Sequence, residues 1–320
     1  MLNRTLKRNI ELYKKTKGEL LDTVSLKSKK KKKQTAIAYG FMAPSIILFL
    51  VFTVIPFILA FFFSVTDYNG VDNPTFVGLS NFQIALSDEF FLSSMKNVFI
   101  FALWYVPLSI VSSLIIAFLI SRVKFHNNFF RIIYYLPSLT SGAATVFVWK
   151  SLLSSSSTIN FFGGQIAMVS IIAISLWSAL GGNMLMYLAA MTGIPPELYE
   201  AADVDGANKF KQFLYITIPL LRPSTYFIFT TTLIGSFQLF DIVYLLGLYG
   251  NDAAITPVVE IYLYAKTFKY GIGSAMSVVL FVIIMAVTII TQLFVKENNG
   301  ETKLIGRIKR NLADRRKKAQ

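Results

Sequence analysis

The sequence predicts an all-α polytopic membrane protein with six transmembrane helices, and three observations carry that prediction. Several mostly apolar stretches reach about 18 residues or more, enough for a helix to cross a hydrocarbon layer about 30 Å thick. Only 15% of the residues are charged, 54% are hydrophobic and the mean hydropathy is +0.58, whereas a soluble domain carries about a quarter charged residues. The net charge of +14 gathers at the ends: residues 1–36 hold 12 Lys/Arg against 3 acids, and residues 296–320 hold 9 against 3. Basic tails outside an apolar core are what cytoplasmic ends require, and this distribution argues against a nucleic-acid partner.

The elements follow in order from the same signals. Residues 1–37 form a basic N-terminal tail ending in the run Lys29 to Lys33. Such a tail can touch anionic headgroups of membrane lipid, but a positive-inside topology signal explains it more simply. It is too polar at its start for a cleaved signal peptide. The first span lies at about 38–66, with Pro44 near its start and Pro56 inside it. Segment 67–96 carries Asp67, Asp72, Asp88 and Glu89 against Lys96 alone, which makes it an outer loop. The second span is expected at about 98–120, followed by Arg122, Lys124 and Arg131 on the cytoplasmic side, with His126 in a short solvated loop. The third span follows at about 132–153 and the fourth at about 165–190, joined by a short outer turn at Ser154–Thr158. A polar segment, 191–222, returns to the cytoplasmic face. The fifth span is expected at about 223–248 and the sixth at about 274–295, before a basic C-terminal tail, 296–320. Six spans with both termini cytoplasmic satisfy every basic cluster at once. One transmembrane domain, 38–295, therefore accounts for most of the chain.

Much chemistry is missing from the sequence. With no cysteine there is no disulfide, thiolate metal site or cysteine nucleophile. No Gly-x-x-x-x-Gly-Lys-Ser/Thr loop is present to cradle a nucleotide phosphate. His-Glu-x-x-His, Gly-x-Ser-x-Gly and paired acids within a span are also missing, so no catalytic residue, metal ligand or bound cofactor is expected. Asp241 is the one clear ionisable candidate within a span, at a position able to face water, which supports ion-gradient coupling poorly.

The polar segment carries the most information. Pro195-Pro196 suits a helix start, and Glu197 and Glu200 in the first turns favour the helix dipole. Ala201 and Ala202 are small enough to let another surface approach the backbone, and Gly206 suits a helix end. A second helix from Phe210 to Ile218 runs to Pro219, giving a helix–turn–helix. Carboxylates beside small residues suit a partner groove bearing arginine. Spacing alone leaves a docked unit and a solvated helical loop equally open.

The run Glu200-Ala201-Ala202, then Gly206, Ile216 and Pro219, resembles the EAA motif of bacterial binding-protein-dependent ABC importer permeases. The longer run from Ile194-Pro195 through Glu197-Leu-Tyr-Glu-Ala-Ala to Asp205-Gly206-Ala207 is similar to the carbohydrate branch, the MalF-like and UgpA-like subunits. Gly78-Leu-Ser-Asn81-Phe82, Asn97, Arg131 to Leu136-Pro137, Trp149, Phe237-x-x-Phe240-Asp241 and Ser274-Ala275-Met276-Ser277 extend the resemblance over about 40–295. Gly247-Leu-Tyr-Gly250-Asn251 stands where the family often has a Gly-Gly-Pro turn.

The resemblance implies a type I ABC importer permease fold and a role in ATP-driven uptake of a sugar or oligosaccharide across a bacterial cytoplasmic membrane. It implies four partner proteins: a second, MalG/UgpE-like permease, two ATPase subunits that carry the ATP and Mg, and an extracytoplasmic solute-binding protein. Glu200, Ala201, Ala202 and Gly206 would form the helix that couples to the ATPase. Position in the family pattern makes Ser138, Gly142, Ser178, Gly182, Asn183, Thr232, Ser236 and Gln238 candidates for the substrate path, although small polar residues also pack membrane helices. Trp177 is expected to pack rather than stack on a sugar, and the 29 phenylalanines to face lipid or core. Alternatives are a permease for glycerol phosphate or another polar solute, and a gradient-driven carrier. A phosphate ester would want cations in the path, and the spans offer almost none.

Overall fold

The computed structural model describes residues 34–35, 37–123, 127–154 and 160–298, and the chain divides between Leu59 and Ala60 into two compact units. His126, nearly all of the Ser154–Thr158 turn and most of the two basic tails lie outside the described residues. The first unit holds most of helix α1 (Ile37–Ser64), whose most apolar stretch buries nothing. A π-helical turn at Leu50–Val54 precedes Pro56, and Ile55 N–H donates to the Leu50 carbonyl. Pro56 has no N–H to offer four residues back and its ring crowds that carbonyl, so a wider turn relieves the helix there.

The second unit is organised by two long helices, α3 (Glu89–Arg122) and α6 (Ile166–Thr192), which pack along one another. Before them come a short hairpin, with Thr66 opposite Phe76 and Asp67 opposite Thr75, and helix α2 (Ser80–Ser87). Asn81 is buried and donates from Nδ2 to the carbonyls of Ser64 (3.1 Å) and Thr66 (2.8 Å), fastening α2 beneath the hairpin. Asp88 caps α3 by accepting from Phe91 N–H at 2.7 Å, with Glu89 in the first turn and Arg122 in the last, each placed to suit the dipole. At 34 residues, α3 is about 50 Å long and overreaches a bilayer core. The helix itself starts about two turns before the expected second span. Asn97, near that end, donates to the carbonyls of Asp252 (2.7 Å) and Ile255 (3.1 Å) in the loop before the last span.

Two expected spans are broken helices. The third consists of α4 (Asn127–Leu139) and α5 (Gly142–Ser154), bent by 96°. The run Leu136-Pro-Ser-Leu-Thr-Ser-Gly142 ends one helix and starts the next. Thr140 Oγ1 donates to the Leu136 carbonyl (3.1 Å), and Ser141 Oγ accepts from Ala144 N–H (3.2 Å) as a cap for α5. The polar segment 191–222 contains α7 (Glu197–Val204) and the short helices α8 (Lys209–Gln212) and α9 (Ile218–Leu220), joined by a π turn at Phe213–Thr217. The fifth span then runs as α10 (Arg222–Phe237) and α11 (Asp241–Leu246), with the Thr256 hydroxyl donating to the Leu239 carbonyl at 2.7 Å across the break. Helix α12 (Pro257–Lys266) leads to α13 (Tyr270–Asn298). Among the described residues four unbroken helices are long and apolar enough to cross a membrane, and the α4–α5 pair makes a fifth. The α10–α11 pair lies at the remaining expected span without being among these five. Two apolar clusters hold the bundle, one around Phe101, Ile171, Phe237 and Met276 and one around Met184, Tyr187, Leu221 and Ile228.

At the loop end of the first cluster, Tyr264 Oη donates to Asp88 Oδ2 at 2.7 Å, and buried Glu260 lies one helical turn before Tyr264. Burial first, then the Asp88 carboxylate, push the Glu260 carboxyl above its ordinary value. The folded state thus holds this proton more tightly than the unfolded chain does. Stability is fully present below the unfolded carboxyl pKa of about 4.3 and declines as pH rises towards the folded value. Glu260→Gln is expected to remove that decline, checked by unfolding midpoints of wild type and variant from pH 4 to pH 8. An unchanged pH dependence would assign it to other groups.

Candidate functional site

Where α3, α6 and α10 face one another they border an open cavity of about 460 Å³ against the first apolar cluster. One wall is aromatic. Phe101 and Tyr105, one turn apart on α3, stack with ring centroids 4.8 Å apart and planes within 16°. The other walls carry hydroxyl and amide groups, Ser175, Ser178 and Asn183 from α6 and Thr231, Thr232 and Ser236 from α10, set among the apolar Ala179, Leu239 and Ile242. Several of these spend their hydrogen on their own helix. Ser178 Oγ donates to the Ile174 carbonyl (2.9 Å), Thr231 Oγ1 to Phe227 (2.9 Å) and Ser236 Oγ to Leu233 (2.6 Å). Their oxygens remain acceptors. Asn183 Nδ2 donates to Ser109 Oγ at 3.0 Å, which fixes the amide's orientation. Ser175 is 6% exposed and its hydroxyl has no partner, a buried polar group left for something else to satisfy. No charged side chain lines the cavity.

Four of the residues expected on the path, Ser178, Asn183, Thr232 and Ser236, are brought together here. The other four stand elsewhere. Ser138 Oγ donates to the Ser178 carbonyl (2.7 Å) and accepts from Gly182 N–H (3.3 Å), so Ser138 and Gly182 tie α4 to α6. Gly142 begins α5, where an added Cβ would lie 3.6 Å from Asp241 Oδ2, so the two helix breaks meet. Gln238 is exposed in the α10–α11 break. Asp241 opens α11 in its first turn, where a carboxylate suits the helix terminus. Trp177 packs edge-on against Trp149, with centroids 5.8 Å apart. Phe101, Tyr105, Ser175 and Thr231 escaped sequence reading. Their signals, an aromatic pair one turn apart and repeated small hydroxyls, are also what ordinary helix packing produces.

The second feature is the polar segment. Helix α7 follows Pro196 and leaves Glu197, Glu200, Ala201, Val204 and Asp205 exposed. It ends at Gly206, whose φ of +73° lets Gly206 N–H reach the Asp203 carbonyl (3.1 Å) and Ala207 N–H the Ala202 carbonyl (2.9 Å). Asn208 then caps α8, accepting from Lys211 N–H at 2.8 Å. Lys209 Nζ reaches Asp203 at 2.7 Å, and Gln212 Nε2 donates to the same carboxylate across the turn. These bonds, with the charges of Lys209 and Arg122 behind them, hold Asp203 below its ordinary pKa. Gly206→Val is expected to destabilise the turn by about 1–2 kcal/mol, because a β-branched residue resists φ > 0 even though nothing stands within 4 Å of the new carbon. Faster amide hydrogen exchange across Ala201–Ala207 would register it, and unchanged exchange would count against it.

Residues 84–298, which include the cavity and the helix–turn–helix, match the family of binding-protein-dependent transport system inner membrane components. The chain belongs to this family. It is a membrane-embedded ABC transporter permease subunit, not itself an enzyme. The permease is 31% identical over 267 residues to the probable starch degradation products transport system permease protein AmyD of Thermoanaerobacterium thermosulfurigenes, covering 78% of this chain and 90% of that one. It is also 31% identical over 275 residues to the arabinooligosaccharides transport system permease protein AraP of Bacillus subtilis (strain 168), covering 80% and 87%. Its fold matches a chain from a crystal structure of a bacterial ABC transporter involved in import of the acidic polysaccharide alginate. The TM-score is 0.74 at 22% identity, covering 84% of this chain and 98% of that one.

Proposed function

We propose that the permease moves an uncharged sugar or oligosaccharide through the cavity between α3, α6 and α10, driven by ATP hydrolysis on separate subunits. The observation that carries this reading is the cavity lining: a stacked aromatic pair with hydroxyl and amide groups set among apolar residues, without a cation or a carboxylate. A pyranose offers an apolar face to a ring and hydroxyl donors to acceptor oxygens, and this lining provides both. A phosphate ester or a uronate would call for Arg or Lys in the same place. The relatives named for starch degradation products and arabinooligosaccharides support the same class.

In this reading the importer is completed by a second permease, two ATPase subunits holding ATP and Mg, and an extracytoplasmic solute-binding protein. Both termini and the segment 191–222 face the cytoplasm of a bacterial cell, as the positive-inside bias requires. Glu200, Ala201, Ala202 and Gly206 form the face that seats in a groove of the ATPase. Closure of the ATPase dimer moves that unit and switches the cavity between outward and inward access.

The test is reconstitution of the permease with its partners in proteoliposomes, screening neutral oligosaccharides, uronic-acid oligosaccharides and glycerol phosphate. A neutral sugar is expected to stimulate ATP hydrolysis and to be taken up. Stimulation by the acidic solutes alone would overturn the substrate class. Uptake driven by an ion gradient without ATP would overturn the importer reading.

A further inference from the structure

Helix α3 joins the two functional features, and the contact at its far end links it to the helix–turn–helix. Arg122, its last residue, sets its guanidinium carbon 5.0 Å from the ring centroid of Phe118, one turn back, and 5.6 Å from that of Tyr199 on α7. Phe118 packs its ring 4.3 Å from Phe213, the first residue of the π turn. Tyr199 Oη and Thr217 Oγ1 share a hydrogen bond of 2.9 Å at the other end of that turn. The end of α3 therefore grips both arms of the helix–turn–helix through one cation and three rings. A polar cavity of about 180 Å³ lies beside the grip, bordered by Ser121, Met191 and Thr217, and leaves it room to shift.

The chemistry of this grip matters. A bidentate ion pair would fix one geometry, whereas a cation over a ring face holds without a directed donor and tolerates sliding. From Arg122 back to Tyr105 is 17 residues of continuous helix, about 25 Å long, with Pro107 close to the Tyr105 end. Its other end is the aromatic wall of the cavity.

We propose that Arg122, seated on Tyr199, is the positioning residue that carries a displacement of α7 into α3 and so into the Phe101–Tyr105 wall. The proposal rests on the importer reading given above. It separates two tasks within the coupling segment: the exposed acids and Ala201 meet the ATPase, and the opposite face, through Tyr199, passes the motion on.

The experiment uses the complete transporter in proteoliposomes, with Arg122→Ala, Tyr199→Leu, the double variant, Arg122→Lys and Tyr199→Phe. Two quantities are read: recovery of the ATPase subunit with the permease, and solute moved per ATP hydrolysed. In Arg122→Ala and Tyr199→Leu the ATPase subunit is expected to copurify as in wild type, while solute per ATP falls about 3- to 5-fold, the scale of a cation–π contact made by an exposed cation. Arg122→Lys and Tyr199→Phe keep a cation and a ring face and are expected to stay within about twofold of wild type. The double variant should be no worse than the poorer single one, because both remove the same contact. Should Arg122→Ala fail to accumulate, Arg122→Gln replaces it with the same expectation. An unchanged ratio overturns the proposal, as does loss of the ATPase subunit from the variants, or losses that multiply in the double variant. Failure of the wild-type permease to copurify with an ATPase would sink the importer reading instead, a different and recognisable result.

Discussion

Gly181→Ala is expected to cost the permease about 1–3 kcal/mol of stability, and a larger residue there to remove most of the folded protein. Gly181 is buried on α6 where that helix crosses α4 at backbone contact. A Cβ added there would overlap the Tyr134 carbonyl oxygen and stand 2.6 Å from Tyr135 Cα. Both are main-chain atoms, so no rotamer change relieves the overlap, and the two helices must move apart. That movement would stretch the bonds that Ser138 makes to the Ser178 carbonyl and Gly182 N–H, and would displace Ser178 at the cavity wall. Gly182 supplies the control. An added Cβ there meets nothing within 4 Å, so Gly182→Ala should stay within about 0.5 kcal/mol of wild type. Thermal unfolding of the purified proteins in detergent separates the two. Equal midpoints for Gly181→Ala and wild type would mean that α4 and α6 do not meet as closely as described.

Glu200→Lys is expected to abolish transport and leave insertion intact. Glu200 is exposed in the first turns of α7 and makes no bond that the fold needs, so within the permease the change costs about 0.3–1 kcal/mol through the helix dipole. Against the proposed ATPase groove it reverses a charge among small residues that permit close approach. Removing one partner of a desolvated charge pair costs about 2–5 kcal/mol, and reversing its sign costs more, so uptake should fall at least about 100-fold. Uptake, membrane abundance and recovery of the ATPase subunit are measured together. Normal uptake at normal abundance would remove Glu200 from the coupling face. This loss of docking differs from that expected for Arg122→Ala, where the ATPase stays bound and solute moved per ATP falls.

Legibility from sequence differed between the elements for physical reasons. The long apolar runs announced α1, α3, α6 and α13, because a bilayer demands an uninterrupted apolar length that few other structures need. The polar segment was also readable. Its helix start, its first-turn acids and Gly206 act within a few residues of one another, and the left-handed Gly206 ends the helix where the sequence suits an end. The breaks in the third and fifth spans were not foreseen. Leu136-Pro-Ser-Leu-Thr-Ser-Gly142 contains a stop and a start, but in membrane helices proline and glycine are also tolerated without a break, so the local signal is ambiguous. In the fifth span the break at Gln238–Phe240 is tied by Thr256, a residue beyond the span itself.

By itself the sequence determined the class of the protein, the places of its long apolar helices, the helix–turn–helix at 194–219 and the lack of a nucleotide-binding loop of its own. These depend on hydrophobic length, charge bias and local capping, each of which acts over a short stretch of chain. Only the tertiary structure decided which small polar residues share a cavity and which hold helices together. Ser138 and Ser178 look alike in sequence, yet one is spent joining α4 to α6 while the other lines the cavity. The same holds for the aromatic residues, of which Phe101 and Tyr105 face the cavity while Phe118 meets the π turn through Phe213. A helix buries different faces against different neighbours, and no local property of a residue records which neighbour its face will meet.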